Sequence, residues 1–144
     1  KSLKSSFTSE PYITLVRNRN QRSNLTRLRV SAHNLAIESG RKTRPVTPIE
    51  QRICLETNNQ TTSDQTQTTL LDDEFHFLIK CQHFALKRNC LFGKMSSIVQ
   101  GFNNLSDELK FVKLLTPTSP RAAKLANKFI KIMFEQRNKI DNDQ

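Results

Sequence analysis

Three residues carry the sequence's clearest potential for chemistry: Cys54, then His76 and Cys81 in the run His76-Phe77-Leu78-Ile79-Lys80-Cys81. Thiolate and imidazole are the ligands of structural zinc, and a His-x4-Cys pair at a helix start is a workable half-site. One helical turn plus a residue is expected to bring the two groups to the same side. A structural site needs four ligands. A partner two residues after Cys54 would stand at position 57, which is Thr57, and threonine is not a zinc ligand of consequence. His83, Cys90, Asp72 and Asp73 are the candidates for the fourth place. The competing assignment makes Cys54, Cys81 and Cys90 small buried hydrophobes and His76 an ordinary satisfied histidine. On the sequence alone, then, the cofactor is either none or zinc with an incomplete ligand set.

Catalytic constellations are otherwise absent, and the expectation is that the chain is not an enzyme. Three Gly in 144 residues leave no glycine-rich phosphate loop, and no nucleophile elbow or paired-carboxylate motif accompanies the histidines. Asp72-Asp73 follows Leu70-Leu71 without the aromatic residue that a polymerase metal site would show, so these acids are assigned to a helix start, where the macrodipole favours them. The Phe residues at 75, 77, 84, 92, 102, 111, 129 and 134 could stack on bases, but their spacing and Leu/Ile neighbours point to core positions.

Charge supplies the second signal. The chain carries a net +10, which favours an anionic partner such as RNA or DNA. Residues 1–53 hold eleven basic residues against three acids, and eight of the eleven are Arg. Arginine's planar fork suits phosphates and base edges. Candidate contacts are Arg22, Arg27, Arg29, His33, Arg41, Lys42, Arg44 and Arg52. No apolar run approaches the ~20 residues of a membrane span, and no membrane partner is expected. Three cysteines are too few for a secreted disulfide scaffold, so the expected compartment is the nucleus or the cytoplasm. The chain begins at Lys1 with no initiator Met, which suits a fragment of something longer.

These groups need elements to position them, and the pattern predicts a mainly α protein. It should be a small single domain over 1–144, with five or six helices and one short irregular or β-hairpin knuckle-like element. Ser9 and Pro11 open a short helix to about Asn18. Ser23 caps a longer one, with Leu25, Leu28, Ala32, Leu35 and Ala36 on one face and Gly40 as its left-handed stop. Residues 41–48, with Pro45 and Pro48, should be extended. This makes 1–53 an Arg-rich helical segment with an arm. Residues 54–95 then form the knuckle, interrupted at 57–69 by a polar stretch with no apolar residue, read as a disordered insertion between two elements that are otherwise close. Residues 96–144 hold the closing helices, one over Ser106 to Leu115 and one opened by Ser119-Pro120. The last has Ala122, Leu125, Ala126, Phe129, Ile132 and Met133 on its apolar stripe and Lys124, Lys128, Lys131 and Arg137 off it.

Taken together, Leu25 to Arg41, Pro48 to Cys54 and Asp73 to Cys81 resemble the tail that follows the polymerase domain in non-LTR retrotransposon reverse transcriptases. The resemblance covers most of residues 10–95. Such tails often carry a Cys-x2-Cys…His-x4-Cys knuckle. Cys54, His76 and Cys81 match three of its ligands, Thr57 stands in place of the fourth, and the Thr/Gln/Asn stretch lengthens the interval, so the knuckle is degenerate. The resemblance implies a non-catalytic role in holding RNA or DNA, with the polymerase domain of a longer chain as a further partner. The alternatives are a structural or protein-interaction module, or a decayed element with no selected function.

Overall fold

A computed structural model describes residues 11–54 and 70–142. The cap expected at Ser9, Thr57 and the insertion 57–69 lie outside those residues. The described chain is mainly helical: α1 Pro11–Leu15, α2 Ser23–Arg29, α3 Ala36–Lys42, α4 Ala85–Ser96, α5 Asp107–Leu115 and α6 Pro120–Asn142. Short 3₁₀ turns and one π-helical turn, His76–Lys80, join them.

The closing helix organises the rest. Ser119 caps it, accepting a hydrogen bond from the Ala122 amide at 3.2 Å. Its 23 residues span about 34 Å at 1.5 Å per residue. Ala122, Ala123, Ala126, Phe129, Ile130 and Met133 are buried along one face, against α1, α2, α4 and α5. Two polar residues share that face, Asn127 and Arg137. Ile132, expected in the stripe, is partly exposed, and Ile130 takes the buried place.

Asn127 explains how so short a helix as α2 is held. Arg22, at its N-cap, gives no side-chain bond to the first turn. Asn127 Oδ1 instead accepts from the Asn24 and Leu25 amides at 3.0 and 3.2 Å, from more than a hundred residues away. Two of the four orphan donors that a helix N-terminus presents are thus satisfied across the core. Leu25 and Leu28, fully buried, add about 1.5–3 kcal/mol each.

The predicted helix from Ser23 to Gly40 is two helices. The chain breaks at Ser31, which sits at φ 53°, and restarts at Ala36. Gly40 is not the left-handed stop but lies inside α3, which runs on to Lys42. The arm is not extended either: Thr47 N bonds back to Gly40 O at 3.0 Å, folding 43–47 over the helix end. Gly40 is small for a packing reason. A Cβ there would meet Arg52 Cγ and Nε at 2.8 Å. Arg52 cannot easily move, since it donates to Thr47 O at 2.9 Å and Ile37 O at 3.1 Å. Alanine gains up to about 1 kcal/mol of helix propensity, but overpacking costs about 1–3 kcal/mol. Gly40→Ala should therefore lower the urea midpoint, and a raised midpoint would overturn this account of the contact.

Residues 76–96 also divide into several elements. The π turn ends at Cys81, a 3₁₀ turn covers Gln82–Phe84, and α4 begins at Ala85. Phe77, Phe84 and Phe102 are fully buried, and Phe129 nearly so, which places them in the core.

Candidate metal centre

Among the described residues, the expected β-hairpin knuckle-like element is reduced to a single antiparallel bridge between Ile53 and Leu71. Cys54 N bonds to Leu70 O at 3.0 Å, and Asp72 N to Arg52 O at 2.9 Å. These bonds set Cys54 beside Leu70 and the start of the π turn. Asp73 caps that turn, Oδ1 accepting from the His76 amide at 2.7 Å. The turn closes with Cys81 N donating to His76 O at 2.7 Å, an i→i+5 bond. An α-helix, at about 100° per residue, would carry the fifth residue about 140° round the axis. The wider π turn brings Cys81 back toward His76. The local chemistry predicted for a helix is thus delivered by a different one.

The ligand atoms of Cys54, His76 and Cys81 all lie within 4.8 Å of one another, close enough to hold a metal ion. The two Sγ atoms are 3.9 Å apart, far too long for a disulfide. Two thiolates on one tetrahedral ion, each at about 2.3 Å, would stand about 3.8 Å apart. All three residues are buried. Arg88, itself buried, donates to Cys81 O at 2.9 Å. Burial pulls the Arg88 guanidinium below its ordinary pKa, while the neighbouring Cys81 and Asp107 work against that pull.

None of the expected fourth ligands joins the group among the described residues. Asp72 is buried, and both its oxygens bind Arg137, at 2.9 and 2.6 Å, while Oδ2 also accepts from the Ala36 amide at 2.6 Å. Burial pushes its carboxyl above the ordinary 3.8, against the pull of Arg137 and Ala36. Asp72 was expected to open its own helix; it caps α3 instead. Asp73 caps the π turn, His83 pairs with Gln136 at 2.7 Å, and Cys90 is exposed on α4.

The basic candidates divide sharply. Arg22 donates to Val16 O and Arg17 O at 2.5 and 2.6 Å. Arg29 donates to Leu115 O at 2.5 Å and lies over the Tyr12 ring at 5.4 Å. Arg52 is buried beneath Gly40. The Leu35 amide donates to His33 Nδ1, which places the ring proton on Nε2, facing Glu74 at 2.8 Å. These four hold the fold. Arg27, Arg41, Lys42 and Arg44 are exposed, Arg41 with Glu38 as an ion-pair partner at 3.1 Å. A further row, of which Lys124, Lys128 and Lys131 were set off the apolar stripe by their spacing, was not among the expected contacts. Arg121, Lys124, Lys128 and Lys131 are exposed at i, i+3, i+7 and i+10 on the face of α6 opposite its core face. The 3.6 period was the available signal.

Comparison of the chain with protein-family models, with curated proteins and with solved structures finds no match in any of the three. Among the described residues, no helix is long and apolar enough to cross a membrane.

Proposed function

We propose that the protein is a non-catalytic nucleic-acid-binding module, built like a retrotransposon reverse transcriptase tail, in which zinc on Cys54, His76 and Cys81 ties the bridge at Ile53 to the π turn. The observation that carries the binding reading is the row of four cations on the outer face of α6. Glu135 is the acid beside it, paired with Lys131 at 3.5 Å. Arg27, Arg41, Lys42 and Arg44 extend the cationic surface from the other half of the chain. Such an array neutralises phosphates without reading sequence.

Binding to single-stranded RNA, followed by fluorescence anisotropy, should weaken with salt at a log–log slope of about −0.7 per phosphate contact. Replacing Lys124, Lys128 and Lys131 together by Ala should cut affinity and flatten the slope by about 2. The same is expected of Arg41, Lys42 and Arg44 changed together. No binding at low salt, or slopes untouched by both sets, would sink the proposal.

A further inference from the structure

A cavity of about 280 Å³ opens between α2, the left-handed turn at Ser31 and α6, lined by Asn24, Arg27, Ala32, His33, Asn34, Phe134 and Asn138. Its volume is at the small end for a ligand site. Its lining is unlike the rest of the cationic surface: one exposed guanidinium, three carboxamides that can each donate and accept, and a wall made by the Phe134 ring with the His33 imidazole beside it.

The wall is held by its ring neighbours. The Phe134 ring stacks on Phe77 with centroids 4.7 Å apart and on His33 at 6.3 Å. The His33 side chain is only 2% exposed, and Glu74 and the Leu35 amide hold its two nitrogens. Burial works to raise the Glu74 carboxyl, but hydrogen bonds from His33 and Ser31 and its own backbone amide outweigh it and keep the group below 4.5. One rim is also set, since Asn34 Nδ2 donates to Asn138 Oδ1 at 3.1 Å. A preformed slot of this kind has little ordering entropy left to lose on binding.

We infer that this cavity takes one unstacked base of a single-stranded nucleic acid, its face against Phe134, its edge on the carboxamides and its phosphate on Arg27. A base is planar, with donors and acceptors on its rim, and it stacks on aromatic rings. A bare phosphate or carboxylate would use the guanidinium and the amide donors but leave the ring idle. The inference rests on the nucleic-acid reading and adds a site where the base, not only the backbone, is felt.

The test compares a twelve-nucleotide single-stranded RNA with an abasic counterpart of the same length. The wild-type protein should prefer the base-bearing strand about tenfold. Asn138→Ala and Arg27→Ala, both at exposed positions, should reduce that preference. Asn138→Ala should leave the salt slope unchanged, because Asn138 carries no charge. Equal binding of the two strands with a normal salt slope overturns the base site while leaving the phosphate surface standing. Absence of binding to either strand overturns both. Adenosine monophosphate is the second probe, followed by amide chemical shifts. Shifts around Asn24, Arg27 and Asn138 that vanish in Asn138→Ala, together with the strand preference, support the inference. The same shifts without any strand preference assign the cavity to free nucleotide and overturn it.

Discussion

Arg137→Leu should cost about 3–5 kcal/mol of unfolding free energy, the largest single loss expected anywhere in this protein. Asp72 is fully buried, and Arg137 supplies two charge-assisted hydrogen bonds to its carboxylate. Removing the guanidinium leaves a carboxylate in the core with the Ala36 amide on one oxygen. It must then be protonated or drag water inward, and burial already presses it toward the protonated form. The damage should spread, because Asp72 stands at the hub of three elements. Its side chain caps α3, its carbonyl accepts from the Ile37 amide, and its own amide closes the bridge beside Cys54. Urea unfolding followed by circular dichroism measures the loss. Pairing Arg137→Leu with Asp72→Asn should recover part of it, since the stranded charge is then gone. A single variant that loses less than about 1 kcal/mol would show that solvent reaches the pair and that the hub is dispensable.

Chelation should produce the second large effect. Protein purified without a histidine tag should contain one zinc per chain by elemental analysis, and stripping it should lower the melting temperature. A ligand present at a thousand times its dissociation constant contributes about 4 kcal/mol. In a domain of this size that corresponds to about 10–20 °C. Cys54→Ser and Cys81→Ser should each melt near the stripped protein and no longer respond to added zinc. Cobalt(II) offered in place of zinc should give a thiolate-to-metal charge-transfer band that both variants lack. Metal-free protein whose melting temperature ignores both chelator and zinc would reassign the cluster as buried thiols packed against a histidine.

The helical class was legible because it rests on period and composition: scarce glycine, the Ser119-Pro120 start and the stripe from Ala122 to Met133 all act locally. Cys54, His76 and Cys81 were legible as a group because ligand chemistry limits which residues can serve. What failed was everything decided by a distant partner. Gly40 looked like a stop signal, but its smallness answers to Arg52. The helix from Ser23 was read past its break because Leu35 and Ala36 continue the apolar spacing. Nothing local announces that Ser31 turns left-handed or that Asp72 waits to cap a new helix. Half of the basic candidates bond within the fold, which the sequence could not show for the same reason. A sequence shows that Arg22, Arg29 and Arg52 are cationic, but not that backbone carbonyls at Val16, Leu115 and Ile37 lie in reach of their forks.

The capping of α2 by Asn127 bears on how the chain is made. Synthesis delivers the basic half first, yet the group that closes its best-buried helix is more than a hundred residues behind. A seven-residue helix is too short to persist alone in water. The emerging N-terminal half therefore has no finished structure to adopt until α6 has left the ribosome, and its arginines stay accessible to any polyanion meanwhile. Acquisition of the fold in this half should wait on the synthesis of α6.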